Sequence, residues 1–254
     1  MPRTRRPGEV SLERALSKLG IASRTQARAW IESGRVKING IIQKDASRWI
    51  IPEKVRIEID GVEPQLKERL VVMLHKTRGT LTTRSDERGR PTVFDLLPGE
   101  LKHHGNLHAV GRLDQATTGL LLLTNDTRLS SWLTDPEQQL PRIYRVTGRG
   151  AVNESQISRM LEGILSEVGL LRASRVELVK SSGRESHLLV TLQEGKNREI
   201  RRLFEAIGSE VTDLKRLSFG GLELGNLLPG QFRVLEEMEV ERAFPKSPRA
   251  TGLK

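Results

Sequence analysis

The sequence predicts an α+β fold in two parts, on three observations. Roughly the first sixty residues carry two short helical apolar patterns, then strand alternation around Asn39-Gly40, which describes a small separate module. From about residue 68, helix-like and strand-like runs mix irregularly, so a mixed or largely antiparallel sheet with helices packed on it is expected. The 254 residues suit one domain of ordinary size plus a small one. The expected boundaries are 9–61 and 68–243, with 244–254 a flexible tail.

In chain order, residues 1–8 are basic, contain Pro2, Pro7 and Gly8, and are expected to be disordered. Leu12, Ala15, Leu16 and Leu19 recur at helical spacing, and Gly20 ends the run. Ser23 and Gln26 form a capping box for a second helix whose Ala27, Trp30 and Ile31 face a core, up to Gly34. Val36 and Ile38 alternate into Asn39-Gly40, the dipeptide suited to a type I′ hairpin turn, and Ile41 resumes the partner strand. Val55, Ile57 and Ile59 alternate again before Asp60-Gly61. Pro64 and the polar stretch to Arg69 read as a linker.

The larger part opens with a strand at Val71 to Leu74 and a Thr-rich strand at Leu81 to Thr83. Leu120 to Leu123, bounded by Gly119 and Asn125-Asp126, form a continuous apolar run of the kind expected for a fully buried strand. Asp114 then sits on the loop entering that strand, where a carboxylate serves either chemistry or capping of nearby backbone amides. A helix around Leu129 to Leu133, a strand around Tyr144, a helix from Asn153 to Ile164 and a strand at Leu188 to Leu192 follow. A last helix is marked by Ile200, Leu203, Phe204 and Ile207, and its N-terminal half is dense in cations. Cations there oppose the helix dipole, so a compensating anion is expected.

The formal net charge is +10, and it is segregated. Residues 1–50 hold eleven Lys and Arg against four Asp and Glu, a net of +7 that leaves +3 for the other 204 residues. Arg24 and Arg28 lie four apart on one helix face, with Arg35 and Lys37 just beyond, which points to phosphate contacts or else to a solvated face. An anionic membrane surface is the weaker partner, since Trp30 is the only bulky apolar residue on that helix. The chain has no cysteine, which excludes disulfides, thiolate metal sites and cysteine nucleophiles. No apolar run approaches the roughly 20 residues that span a bilayer, and no secretory signal is evident. His103, His104 and His108 cluster without acidic neighbours, a poor zinc site. A soluble, cytoplasmic monomer is expected.

Two stretches carry a family resemblance. Ser23-Arg24-x-x-Ala27-Arg28-x-x-Ile31-x-x-Gly34-Arg35-Val36-x-Ile38-Asn39-Gly40 is similar to the S4 RNA-binding module. Gly111-Arg112-Leu113-Asp114-x-x-Thr117-x-Gly119 through Asp126 resembles the signature of the small-ribosomal-type pseudouridine synthases, which isomerise uridines in bacterial ribosomal RNA. The segment from Thr83 to Pro98 resembles the same group, closer to members acting on large-subunit than on small-subunit rRNA. One departure is Thr77, where the family has a proline, a change that loosens a turn.

The resemblance implies Asp114 as the catalytic nucleophile. It places Tyr144 as the residue that stacks on the uracil, with Arg142 replacing the family's lysine two positions earlier. It makes Arg201 the partner of Asp114, although the residues alone equally allow Arg201 to pair with Glu205. Lys196 and Arg198 are implied as phosphate contacts. Arg112 is implied to replace the extruded base in the RNA stack, while a salt bridge to Asp114 is its local alternative. The implied substrate is ribosomal RNA, 23S or an assembly intermediate. Isomerising uridine is redox-neutral and requires no nicotinamide, flavin or metal, so no cofactor is expected. The rival readings are the same activity on 16S rRNA and a non-catalytic RNA-binding or ribosome-assembly factor.

Overall fold

The computed structural model describes residues 8–64, 68–102 and 107–248. The expected disorder of residues 1–7, linker residues 65–67, His103 and His104, and the tail from 249 lie outside the described residues.

The N-terminal part runs β1 (Val10–Ser11), α1 (Leu12–Lys18), α2 (Arg24–Glu32), β2 (Val36–Ile38), β3 (Ile41–Gln43), β4 (Trp49–Ile50) and β5 (Ile57–Ile59). Ser23 Oγ accepts the Gln26 amide at 3.2 Å, the first half of the expected capping box, and fixes the start of α2. Asn39 and Gly40 both have positive φ, 49° and 79°, as a type I′ turn demands, so β2 and β3 form a tight hairpin with β5 on the other side of β2. Leu12, Leu16, Ala27, Ile31 and Val36 are fully enclosed in a core of their own. Each large side chain there stabilises the module by about 1.5–3 kcal/mol relative to exposure.

The larger part continues with β6 (Val71–Lys76), α3 (Gly99–Lys102), β7 (His108–Ala109), β8 (Thr118–Thr124), α4 (Thr127–Thr134), β9 (Arg142–Arg149) and α5 (Glu154–Glu162). It closes with β10 (Ile164–Ser166), β11 (Gly169–Leu171), β12 (Arg175–Ser181), β13 (Glu185–Leu192), α6 (Glu199–Ala206), β14 (Val211–Phe219), β15 (Leu222–Glu223), β16 (Phe232–Val234) and α7 (Glu237–Ala243). One sheet is built in the order β12-β13-β9-β14-β8-β6-β16, with β7 beside β8 and β15 beside β14. Its neighbours are antiparallel except β8 and β14, which run parallel and pair only at Thr118–Lys215 and Gly119–Arg216.

The four leucines of β8 are explained by burial on both faces of the sheet. Leu121 and Leu123 enter one core with Val72 and Leu74 of β6, while Leu120 and Leu122 enter a second core with Val71 and Met73. Strands β9 and β13 instead alternate, since only their inward face is covered.

Four expectations need correction. Leu81 to Thr83 is not a strand: Leu81 makes one bridge to Thr92, and Thr82 Oγ1 donates to the Leu113 carbonyl, so hydroxyl bonds to backbone replace a ladder. The helix after Asn153 stops at Glu162, because Gly163 takes φ +110° and Ile164 already belongs to a hairpin. Phe244, expected to begin the tail, is buried against Trp132 and Phe219. Arg69, expected in a polar linker, is also enclosed and pairs with Glu237 of α7.

Candidate active site

The Asp114 loop is held from below by a lysine. Lys76, the last residue of β6, is fully buried, and its Nζ donates to the carbonyls of Thr77 (3.0 Å), Gln115 (3.3 Å) and Thr117 (2.8 Å). Burial pulls its pKa down to about 8, against the opposing pull of the Asp114 charge. The Gly79 amide donates to the Gln115 carbonyl at 2.8 Å, and Thr82 fixes Leu113 from the other side. Asp114 is therefore bracketed at both neighbours.

The Asp114 carboxylate faces two guanidinium groups of the α6 region. Arg198 Nη1 lies 3.6 Å and Arg201 Nε 3.8 Å from Oδ2. Arg198, expected as a phosphate contact, is thus the nearer cation, placed there by a left-handed backbone (φ 51°) at the position before α6. Arg201 donates from Nη1 to the Val211 carbonyl, while its buried Nε has no hydrogen-bond partner among the described residues. Burial lowers its pKa, Arg198 adds to this, and Asp114 opposes it. Asp114 supplies the anion that the cationic helix start requires. Neither local alternative occurs among the described residues: Asp114 caps no backbone amide, and Arg201 forms no ion pair with Glu205.

A cavity of about 330 Å³ is lined by Arg112, Asp114, Tyr144, Lys196, Arg198 and Arg201, among others. Tyr144 comes from the middle of β9 and is nearly buried, with its ring beside the core. Arg112 is exposed at the rim and forms no ion pair with Asp114. Lys196 pairs with Glu194 at 2.6 Å and donates to the Leu170 carbonyl, which ties it to the β10–β11 hairpin. Arg142 is buried and spends its donors on the carbonyls of Leu133, Leu140 and Gln193, a structural tie under the cavity.

Reading the sequence missed three lining or supporting groups: Lys76, Glu199 and Arg216. Lys76 lies two residues past the apolar run Val71 to Leu74 and Glu199 sits in a cationic run, so neither announces its burial. Glu199 accepts the Lys196 amide at 3.1 Å, and burial raises its pKa.

In the N-terminal part, the four candidate RNA contacts are spread over α2, the turn after it and β2. Arg24 is exposed; Arg28 is paired with Glu13 at 2.8 Å; Arg35 is paired with Asp60 and lies 5.1 Å over the Trp30 ring; Lys37 is half-buried. Two of the four are thus partly neutralised, although their side chains stay about half exposed.

Among the described residues, no helix is long and apolar enough to cross a membrane.

Residues 70–206 match the family model described as RNA pseudouridylate synthase, and residues 11–48 match the S4 domain. The chain is 34% identical over 248 residues to an RNA pseudouridine synthase of Aquifex aeolicus, covering 97% of this chain and 96% of that one. It is 38% identical to ribosomal large subunit pseudouridine synthase B of Vibrio vulnificus, covering 90% of this chain and 72% of that one. A crystal structure of a pseudouridylate synthase superposes with a TM-score of 0.64 at 30% identity, covering 92% of this chain and 99% of the other.

Proposed function

The chain belongs to the RNA pseudouridylate synthase family and carries an S4 domain, and from that premise we propose that it isomerises a specific uridine of 23S rRNA, with Asp114 as the nucleophile. The reaction breaks the N1–C1′ bond, forms a C5–C1′ bond and moves one proton from C5 to N1. The groups in the cavity match those needs. The Asp114 carboxylate attacks, and the guanidinium groups of Arg198 and Arg201 orient it. Tyr144 offers a flat ring for the uracil and a hydroxyl for proton handling.

A base inside an RNA helix cannot reach this depth, so the uridine must be extruded at a cost of a few kcal/mol. Arg112, which lines the cavity, fills the vacated stack in this reading and recovers part of that cost. Arg24, Arg28, Arg35 and Lys37 of the S4 domain, with Lys196, hold the phosphate backbone. The large-subunit assignment rests on the Vibrio vulnificus relative. The protein is proposed to work as a cytoplasmic monomer.

The observation that carries the reading is one cavity shared by Asp114, its two arginines and Tyr144. A pseudouridine map of rRNA from cells with and without the gene locates the target, and the Asp114→Asn protein is then assayed on that RNA. Loss of modification is expected. Undiminished modification by Asp114→Asn would overturn the role of Asp114, and a modified uridine in 16S rRNA would overturn the large-subunit assignment.

A further inference from the structure

Arg216 of β14 is a buried cation whose donors are mostly unspent. It is 4% exposed, yet among the described residues it has no carboxylate partner and one hydrogen bond, from Nε to the Leu120 carbonyl at 2.6 Å. A guanidinium has five N–H donors. Its Nη2 is enclosed without an acceptor, and such a group costs roughly 1–3 kcal/mol unless something meets it. Arg142 provides the internal comparison. Both arginines flank the Phe219 ring, at 4.8 and 5.3 Å, and both line the cavity. Arg142 is satisfied by three carbonyls, whereas Arg216 is not.

The position of Arg216 says what would satisfy it. It is the cross-strand partner of Tyr144 in the β9–β14 ladder, so the two side chains leave the same face of the sheet and line one cavity. The exposed cations Arg112 and Arg198 stand at the rim, where a hydrated phosphate backbone can run. A nearly buried guanidinium beside the tyrosine suits an uncharged acceptor on the planar base itself. Uracil presents two carbonyl oxygens, whereas cytosine replaces one of them with an amino donor.

We propose that Arg216 is a specificity-determining residue that donates a hydrogen bond from its free guanidinium edge to a carbonyl oxygen of the extruded uracil. The proposal rests on the reading of this cavity as the uridine site. Donation to O4 also selects uracil against cytosine, because the amino group that cytosine carries there, offered to a donor-only guanidinium, leaves both unpaired, whereas O2 is common to the two bases.

The test uses the full-length Asp114→Asn protein, expected to hold RNA without turnover, and an RNA fragment spanning the mapped uridine. Affinity is measured for the fragment with uridine, 2-thiouridine or 4-thiouridine at the target, sulfur being a poor acceptor. Replacement at one of the two positions is expected to weaken binding about 10-fold or more, the loss of a hydrogen bond from a charged donor. In Arg216→Gln or Arg216→Lys, whichever folds by its thermal melt, that penalty is expected to shrink to about 2-fold or less.

Sulfur at both positions leaving affinity unchanged would overturn the proposal, and this arm needs no Arg216 variant. An equal sulfur penalty with and without Arg216 would overturn it too, leaving the guanidinium a tie to Leu120. The underlying reading fails separately, if the wild-type protein forms no pseudouridine at the mapped position.

Discussion

Replacing Lys76 by Met removes the ammonium beneath the Asp114 loop while keeping most of the volume. Buried ions are often replaced by apolar groups without loss, so the sign must be decided by magnitude. Three hydrogen bonds from a charged donor, one of them long at 3.3 Å, are together worth about 6 kcal/mol. Against this, a pKa drawn down to about 8 means that holding the charged form inside the fold costs roughly 3 kcal/mol. The net expectation is a loss of about 3 kcal/mol, because the carbonyls of Thr77, Gln115 and Thr117 stay buried after their donor has gone. Urea unfolding at pH 7, followed through Trp132 with Trp30 and Trp49 replaced by Phe, reads this in the larger part of the chain. Turnover should fall with it, since about 1 Å of drift in Asp114 is enough to cost ~100-fold, while RNA affinity is retained. A Lys76→Met protein within about 0.5 kcal/mol of wild type and with full turnover would refute the idea that this lysine builds the loop.

Four further outcomes are expected. Between pH 8 and about 10.4 the folded chain binds fewer protons at Lys76 than the unfolded chain, so wild type should gain stability relative to Lys76→Met as pH rises, with no such trend below pH 8. A flat difference across that window would place the ammonium in a wetter site. Gly119→Ala should destabilise by about 3 kcal/mol or more in denaturant melts, since its φ is +103° and an added Cβ would meet the Arg216 carbonyl oxygen at 2.2 Å. Tyr144→Phe should keep RNA affinity and lose about 100-fold or more in single-turnover rate; an unchanged rate would leave the ring with stacking alone. Replacing Arg24, Arg28, Arg35 and Lys37 together by Gln should flatten the log–log salt dependence of RNA binding by up to about 3, and an unaltered slope would remove these residues from the interface.

What the sequence disclosed tracks how far each element agrees with its own periodicity. The N-terminal helices and the Asn39-Gly40 hairpin were legible because capping, turn chemistry and apolar spacing coincide there. Strand β14 was not, because Lys215 and the buried Arg216 interrupt its apolar alternation. Helix α7 offers one buried position, Val240, among glutamates and so shows no stripe. Edge strand β12 is exposed along nearly its whole length. At the site, Asp114, Tyr144 and Arg201 were visible through a family pattern, and their shared cavity is a matter of tertiary packing. The proximity of Arg198 to Asp114 depends on a left-handed backbone at a non-glycine residue, which no spacing rule predicts.

The placement of the cavity follows from one local failure of the sheet. Strand β14 pairs with β9 along its length and β8 with β6, but β8 and β14 hold together at only two residue pairs. Where they touch, Gly119 is required, since the Arg216 backbone occupies the space of a side chain. Just beyond, the Arg216 side chain reaches across to the Leu120 carbonyl, a bond that a further ladder pairing would otherwise make. The Asp114 loop enters β8 at this same junction, anchored by Lys76 from the neighbouring strand. The missing side chain at Gly119 and the buried guanidinium of Arg216, which lines the cavity, therefore belong to one residue pair. A change at Gly119 that pushes β14 outward should alter both the reach of Arg201 to Asp114 and the posture of Arg216, so its effect on turnover should exceed what its loss of stability alone would give.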